Sequence, residues 1–373
     1  TAAARVRLGL PEAAAGCIGF FDHHRRVRAQ RFRGERSDGF WMPLESLLWT
    51  GIDLSQLQEG MTFTELNGQE ICNKYLTPAM HRAMQQVPST RGAETKFFPR
   101  HDITKQFRFF AEDVSEDAVI YITEKLHGTQ GRLAHVWDEQ PLTGWRKLLA
   151  YIGNRRPVTA SWTHLSGSKN VILEKAAGAG WYGTNGFRYN VVGDLQLRKG
   201  EVIYFEIVGW VNDTTPIMPP HNVTQTGLTE IKQQYGDIIQ YTYGCPVGTH
   251  RMYVYKIVQV NEDGIAIDLP WPQVVSRCKK LGIPHVPLLF GPTTLNHLAH
   301  MHANSGHEAL RKTVESLTDG GSVLNPMQIR EGVVVRIESS QGTNYLKSKS
   351  WAFGVLEGYL SEQDTFIDPE VLA

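Results

Sequence analysis

The sequence lacks the features that define membrane, secreted and cysteine-stabilised proteins. No apolar run approaches the roughly 18 residues that a membrane-spanning helix needs, and the first residues lack the charged-then-apolar order of a signal peptide. Cys17, Cys72, Cys245 and Cys278 are too scattered for a CxxC metal site and too few to cross-link a chain of 373 residues. We therefore expect a cytoplasmic, intracellular protein with reduced thiols and no contact with a membrane.

The sequence also lacks an excess of charge of either sign. Lysine and arginine together number 38, as do aspartate and glutamate, so no global basic field indicates a nucleic-acid partner and any such surface must be local. There is no internal repeat, heptad run or low-complexity tract. The composition that remains is globular, 41% hydrophobic and 20% charged, in a chain long enough for two domains.

The N-terminal part of the chain has the pattern of a small β-barrel. In residues 1–85, short apolar runs separated by turn residues predict closely spaced strands, and Pro43 to Trp49 has helical spacing within that series. This combination fits an OB-like barrel. Residues 88–106 are polar, basic and interrupted by prolines, which predicts a linker. We therefore predict an OB-like domain, with its linker, at residues 1–105.

The rest of the chain alternates strands and helices. Apolar runs lengthen from Ala118 onward, and a helical stretch from Trp271 to Leu317 interrupts them. The predicted fold class is therefore α+β, with the OB-like β-barrel followed by a second domain at residues 106–373. We expect this second domain to be built on antiparallel sheets with flanking helices.

The most informative stretch is an apolar, β-branched run that ends in Glu124 and Lys125 and then turns at Gly128. The pattern places a lysine at the end of a strand. Desolvation or neighbouring cations would lower the pKa of this lysine, so that its neutral amine could attack phosphorus. The plainer alternative is a surface lysine after an edge strand, because a four-residue KxxG match is common by chance.

A second candidate is Glu206, which lies within an apolar run typical of a strand that is buried on both faces. An unpaired buried carboxylate is costly, so Glu206 should meet a lysine, a metal ion or hydroxyl donors. A purely structural ion pair would satisfy it equally well.

A third candidate is a predicted hairpin that runs from Glu331 to Arg336, turns, and returns through Lys347 and Lys349. Because side chains alternate along a strand, both lysines project from one face and are suited to polyphosphate oxygens. Glu331 can lie near them across the hairpin. The alternative is a solvated strand face that carries alternating charges.

These motifs, taken together and in this order, resemble the covalent nucleotidyltransferases, which include DNA ligases, RNA ligases and mRNA capping enzymes. The turn reads Glu-Lys-Leu-His-Gly-Thr, and His127 stands where DNA ligases and capping enzymes usually have aspartate. This EKxHG form is similar to that of the RNA ligases. The resemblance covers residues 95–353.

The resemblance implies an ATP-dependent RNA ligase that joins 5′-phosphate to 3′-hydroxyl ends, which could lie in a nicked duplex. AMP would be carried first on Lys125 and then on the RNA. The implied catalytic residues are Lys125, Glu206, Glu331, Lys347 and Lys349. The implied nucleotide contacts are Glu124, Leu126, His127, Gly128, Lys169, Tyr253 and Tyr255, together with Lys347 and Lys349 on the ATP phosphates.

The resemblance leaves some of these roles open. One of Tyr253 and Tyr255 would stack on adenine, and nothing in the sequence chooses between them. Glu331 and Glu206 would hold Mg²⁺ or Mn²⁺ through water. Lys169 stands where the family has arginine, which puts its role in doubt.

An RNA surface is expected in the N-terminal domain. Its arginines alternate with aromatic residues, a mixture suited to gripping phosphates and stacking bases, and we assign Arg31 and Arg33, together with Lys169, to RNA. A solvated strand with arginines on its outer face is the alternative. His297 and His300 have a spacing that could bind metal, but an ordinary polar helix face is the better interpretation.

Two other functions compete with the ligase interpretation. The first is a non-catalytic module that binds RNA ends or ATP, and the second is a DNA nick-sealing or capping-type enzyme. His127 and the position of the lysine motif close to the end of the sequence disfavour the second, because we expect no C-terminal OB domain to follow it. We expect a monomer. The natural RNA substrate and the pathway stay open.

Overall fold

The computed structural model describes residues 30–32, 35–37, 42–72, 94–101, 103–153, 158–173, 186–193, 195–223 and 229–357. Contacts divide the chain into two units. The first comprises residues 1–86 with 363–367, and the second comprises residues 87–362 with 368–373.

The first unit contains short hairpins and 3-10 helices. Strands β1 (Gln30–Phe32) and β2 (Glu35–Ser37) pair antiparallel, as do β3 (Glu65–Leu66) and β4 (Gln69–Glu70). Asn67 and Gly68 turn between β3 and β4 with φ of 48° and 70°, the left-handed values that favour this residue pair in a tight hairpin.

The helix predicted at Pro43 to Trp49 is present as a 3-10 helix over Leu44–Thr50, followed by a shorter one at Leu54–Gln56. No closed barrel is formed by the strands that the structure describes in this unit. The OB-like barrel and its assignment as an RNA-binding domain therefore stay predictions.

The second unit has the predicted mixture of antiparallel sheets and helices. Its strands are β5 (Lys105–Gln106), β6 (Val119–Lys125), β7 (Thr129–Pro141), β8 (Val158–Ser168), β9 (Ile172–Leu173), β10 (Glu201–Gly209), β11 (His221–Asn222), β12 (Ile238–Ile239), β13 (His250–Val260), β14 (Ala266–Asp268), β15 (Leu288–Thr293), β16 (Gly332–Ser339) and β17 (Gly342–Lys349). One sheet has the order β14-β13-β10-β7-β8-β9, and the other has the order β15-β6-β16-β17-β5. Only the pairing of β17 with β5 is parallel in these two sheets as described.

The helices lie between and after these strands. They are α1 (Phe107–Phe110), α2 (Gly144–Ile152), α3 (Gly186–Val192), α4 (Thr229–Tyr235), α5 (Trp271–Leu281), α6 (Leu295–His302), α7 (Gly306–Thr318) and α8 (Trp351–Leu356). None of the helices in the described ranges has the length and apolarity to cross a membrane.

The helical stretch predicted from Trp271 to Leu317 is wrong in part, because strand β15 interrupts it. Helix α5 ends at Gly282, whose φ of 67° and N–H bonds to Cys278 and Lys279 form a left-handed cap. Pro284 then disfavours renewed helix. The chain continues as strand β15, which pairs with β6, and helical structure resumes only at α6.

Each large sheet has its own core. The five-stranded sheet buries Ile120, Ile122 and Val335 against Leu298 of α6 and Leu310 of α7. These side chains come from one face of strands and one stripe of each helix, as alternation and helical periodicity require.

The six-stranded sheet packs a second core that includes Val202 and Val258 together with Phe97 and Phe98. Phe98 is fully buried, so this part of the predicted linker is packed against the sheet. Phe97 and Phe98 pack into the core although the residues around them are polar, because their burial removes large aromatic surfaces from water.

The chain passes directly from one sheet to the other through Leu126, His127 and Gly128, between β6 and β7. A Cβ at Gly128 would collide with the backbone oxygen of Ile207 in β10. The glycine of the KxxG turn is therefore required by the close approach of β10. This crossing places the residues around Lys125 at the junction of the two sheets.

Candidate active site

Lys125 is the last residue of β6, and β16 is its neighbour in the sheet. Gly332 is the register partner of both Lys125 in β6 and Lys349 in β17. Lys125 Nζ donates a hydrogen bond of 2.6 Å to Oε1 of Glu331, the residue just before Gly332. The strand register thus brings the candidate nucleophile, the acidic residue and one motif lysine to one edge of the hairpin.

The electrostatic expectation for Lys125 is wrong for this state of the site. Burial and the charge of Lys349 lower its pKa as predicted, but Glu331 and Glu206 outweigh them and raise the pKa above its ordinary value. Lys125 is therefore an ammonium held by Glu331. The sequence analysis considered desolvation and neighbouring cations as causes of a lowered pKa, but it did not predict that Lys125 pairs with Glu331.

Glu331 is buried, and its two oxygens differ. Oε1 accepts from Lys125, whereas Oε2 has no hydrogen-bond partner among the described residues. His127 Nδ1 lies 3.8 Å from Oε2. A buried carboxylate oxygen without a partner is costly in a folded chain, and such an atom is expected where a ligand binds.

Glu206 lies in β10 next to the turn after β6. Strand β10 is almost entirely buried, as its apolar sequence predicts, and the side chain of Glu206 is partly exposed. Burial raises the pKa of Glu206 to about 8, although Lys125, Arg188 and the N–H of Gly128 favour its charged form. The structure therefore brings Glu206 to Lys125, as expected.

Lys347 and Lys349 project from the same face of β17 and are 4% and 8% exposed. The alternative of a solvated strand face is therefore wrong for these lysines. Lys349 Nζ lies 5.8 Å from the centre of the Phe353 ring. Buried ammonium groups are costly, so two of them side by side indicate a site that is built to meet negative charge.

Glu124, in β6, and Leu126, just after its end, flank the candidate nucleophile Lys125 and are buried. Glu124 Oε2 accepts from the backbone N–H of Val323 at 2.9 Å, whereas its Oε1 has no partner in the described ranges. Burial raises the pKa of Glu124. Its second oxygen is thus available to a donor from a ligand.

The ring of His127 is surrounded by aromatic side chains. Its ring centre lies 4.7 Å from that of Tyr241 and 4.8 Å from that of Phe353, both edge to face. Its backbone N–H donates to the Tyr243 hydroxyl at 2.6 Å. These contacts fix the turn that presents Lys125.

Tyr253 and Tyr255 have different environments because β13 contains a bulge. Tyr253 is the register partner of Glu206, whereas Tyr255 lies at the irregularity opposite Tyr204 and Phe205. The Tyr255 hydroxyl accepts from Gln130 Nε2, and burial raises its pKa well above the ordinary value. A pocket of about 520 Å³ borders Tyr253.

Lys169 makes none of the contacts described for this cluster, and the RNA-binding roles predicted for Arg31 and Arg33 stay predictions. Lys169 is exposed in the turn between β8 and β9, where its charge, after burial and Lys256, contributes to lowering the pKa of His101 to about 3. Arg31 lies in β1, opposite Arg36, and its side chain is outside the described residues. Arg33 lies outside them entirely.

Several contacts of the site had no signal in the sequence. Arg188 donates to Gln130 O at 3.0 Å and to Thr129 Oγ1 at 2.6 Å, which holds the start of β7. Glu357 lies 3.7 Å from His127 and 3.4 Å from His221. These residues come from distant segments without a recognisable motif, so only the tertiary structure reveals them.

Histidine, cysteine and carboxylate side chains form no group of three that could hold a metal ion within the described ranges. His297 and His300 thus lie on α6 without further ligands there. Direct coordination by a closed cage of side chains is not part of the site as described. Glu331 and Glu206 are two carboxylates near the candidate nucleophile Lys125, and their action on a metal ion through water stays a prediction.

A partly exposed lysine paired with a buried carboxylate, beside two buried lysines, is an arrangement suited to nucleotidyl transfer. A family model described as RNA ligase matches residues 118–349, and the chain belongs to this family. The match confirms the predicted family and class of enzyme, a ligase that joins RNA ends. No curated protein sequence matches the chain.

Solved structures similar to the chain include three of the Naegleria gruberi RNA ligase. The form with PPi has a TM-score of 0.47 and 17% identity, over 88% of this chain and 76% of that chain. A variant with ATP and Mn has a TM-score of 0.45 and 16% identity, with coverage of 88% and 76%. A variant with AMP and Mn also has a TM-score of 0.45 and 16% identity, with coverage of 88% and 75%.

Proposed function

We propose that the chain seals RNA with ATP by carrying AMP covalently on Lys125. The observation that supports this most directly is the 2.6 Å pair between Lys125 and the buried Glu331, beside the buried Lys347 and Lys349. A lysine that serves only structure would not need two further buried cations near a carboxylate with an unsatisfied oxygen. Family membership supplies the class of reaction.

In the first step, the neutral amine of Lys125 attacks the α-phosphorus of ATP. A nitrogen–phosphorus bond forms, the bond from that phosphorus to the bridging oxygen breaks, and pyrophosphate leaves. The Lys125 ammonium must first pass a proton to water. Because Glu331 raises the pKa of Lys125, the ion pair between the two would have to open for this to happen. Lys347 and Lys349 would hold the phosphate oxygens, which stabilises the negative charge that develops on them.

A divalent cation, Mg²⁺ or Mn²⁺, fits the acidic side of the site. The unpartnered Oε2 of Glu331 and the partly exposed carboxylate of Glu206 are the oxygen ligands that such cations prefer, directly or through water. When bound, the cation would neutralise phosphate charge. Its presence would also compete with Lys125 for Glu331 and so favour the neutral amine.

The base would be held by Glu124 and Tyr253. Glu124 Oε1 is buried without a described partner and can accept from the adenine amino group. We choose Tyr253 over Tyr255 for stacking, because Tyr253 is the register partner of Glu206, whereas the Tyr255 hydroxyl is bound to Gln130. Leu126, His127 and Gly128 would shape the turn around the nucleotide.

The same groups would serve the later steps. AMP moves to a 5′-phosphate, and the 3′-hydroxyl then displaces AMP to form the phosphodiester bond. We propose Arg31, Arg33 and Lys169 as RNA contacts. We also propose that the protein acts as a monomer on RNA ends, which could lie in a nicked duplex. The division into an RNA-binding and an adenylylation domain, and the intracellular location, are part of the same proposal.

The test is incubation with ATP labelled on the α-phosphate and Mg²⁺ or Mn²⁺, followed by denaturing electrophoresis. Wild type should retain label and Lys125→Ala should not. Lys280→Ala, which removes an exposed lysine of α5, should label like wild type. GTP should give no adduct, and a chase with RNA ends rather than DNA ends should release the label as a sealed product. An unlabelled wild type, after stripping with pyrophosphate, would contradict the proposal.

A further inference from the structure

Glu357 lies at the end of α8, the helix that directly follows the lysine motif. Ser350 caps this helix by accepting from the Phe353 N–H, and the N–H of Glu357 donates back to Phe353 O at 3.0 Å. The helix is therefore capped at its N-terminal end, and its hydrogen bonding continues up to Glu357. Its C-terminal end carries the Glu357 carboxylate toward the turn after β6.

The Glu357 carboxylate meets two histidines from separate parts of the chain. Its Oε1 lies 3.7 Å from His127 Nε2 and 3.4 Å from His221 Nε2. His221 is itself oriented, because its Nδ1 lies 3.1 Å from the Tyr241 hydroxyl. Since Tyr241 also contacts the ring of His127, these side chains form one continuous cluster.

His127 connects this cluster to the nucleophile. Its Nε2 faces Glu357, and its Nδ1 faces Oε2 of Glu331 at 3.8 Å. The other oxygen of Glu331 accepts from Lys125. The contacts thus run from Glu357 through His127 and Glu331 to the attacking nitrogen.

Resting on the proposed function, we propose that Glu357 is a positioning residue for the transfer of AMP to Lys125. Glu357 fixes the orientation of the His127 ring, and His127 in turn orients the Glu331 carboxylate that holds Lys125. The aromatic rings of Tyr241 and Phe353 restrict tilting of the His127 ring but supply no charged partner to its Nε2. Glu357 supplies that partner.

The size of the effect expected for Glu357→Ala can be taken from side chains that orient a neighbouring group in other proteins. Removing a side chain that orients a ligand or catalytic group commonly lowers activity by about 10–100-fold. Glu357→Ala should therefore slow AMP transfer to Lys125 by about 10–100-fold, because small errors in the geometry of attack are costly. Glu357→Gln keeps an acceptor oxygen and should recover part of the rate.

The experiment compares two reactions of the full chain. The first is single-turnover formation of the protein adduct over a range of ATP concentrations. The second is sealing of RNA that already carries AMP on its 5′-phosphate, a reaction in which Lys125 is not the nucleophile. The control is Glu315→Ala, which removes an exposed glutamate of α7 and should match wild type in both.

Positioning by Glu357 predicts a lower maximal rate of adduct formation at an unchanged half-saturating ATP concentration, with sealing of pre-adenylylated RNA near the wild-type rate. An unchanged rate of adduct formation in Glu357→Ala would overturn the inference, as would an equal fall in both reactions, which indicates general damage. Absence of adduct in wild type would instead refute the proposed function, so the two failures are distinguishable.

Discussion

The ion pair between Lys125 and Glu331 gives a prediction of stability that does not depend on turnover. Glu331→Gln replaces the carboxylate with an amide of the same size, so the change removes charge with little change in packing. Lys125 would remain, partly exposed, beside the positive charge of Lys349. Breaking a buried pair by removing one partner commonly costs about 3–5 kcal/mol.

We expect the lower end of that range, about 3 kcal/mol, because 26% of the Lys125 side chain is exposed and solvent can partly screen its charge. The direction in which the stability of the pair changes with pH follows from the direction of the Lys125 pKa shift. The folded pKa of Lys125 is raised, so the pair contributes fully below the unfolded pKa of the lysine and is lost only as pH rises through the folded pKa. At neutral pH the pair therefore contributes fully, and Glu331→Gln should show its whole destabilising effect there.

The measurement is urea unfolding at neutral pH, followed by tryptophan fluorescence. A loss of about 3 kcal/mol lowers the midpoint by about 1–3 M for ordinary urea dependences. Glu315→Gln should change stability by less than about 0.5 kcal/mol. The double variant Lys125→Met/Glu331→Gln should cost less than the sum of the single changes. A Glu331→Gln protein as stable as wild type would refute the pairing.

Three further predictions concern other buried charges. Lys347→Ala and Lys349→Ala should each lower the rate of adduct formation by about 10²–10³-fold, measured in single-turnover assays, and an effect on ATP affinity alone would contradict their proposed role in charge stabilisation. The raised pKa of Glu206 makes the folded state bind more protons, so stability should fall as pH rises from the unfolded pKa to about 8, and Glu206→Gln should remove this decline in urea titrations at several pH values. Arg336→Met should destabilise by about 3 kcal/mol, because it removes the fully buried guanidinium that pairs with the partly buried Glu338, and a change below about 1 kcal/mol would argue against the pair.

Local patterns predicted the strands that carry the site. The β-branched run before Lys125, the apolar run around Glu206 and the hairpin ending at Lys349 are all strands in the structure. Alternation also predicted that Lys347 and Lys349 share a face. These features depend on residues near one another in the chain, which is why the sequence contains them.

The partners of these residues could not be predicted in the same way. Lys125 and Glu331 are 206 positions apart, and their contact depends on the register of β6 with β16. The pKa of Lys125 consequently moved in the direction opposite to the prediction, since burial alone was foreseeable. Glu357 and His221 belong to no motif, and their contacts exist only because α8 folds back on the turn after β6.

The carboxylates near the lysines also explain how the positive charges of the site are compensated in the absence of a phosphate ligand. Three cations, Lys125, Lys347 and Lys349, lie close to the hairpin edge, and Glu331 and Glu206 favour the charged form of the first. In a medium of low polarity each such charge is costly unless an opposite charge lies near it. If the proposed function holds, polyphosphate oxygens would meet the lysines of β17, and Glu331 would have to release Lys125 before that amine could attack. The pair that stabilises the fold would then have to open for the reaction to begin, so we expect stability and activity to respond in opposite directions to any change that weakens the pair without removing either charge.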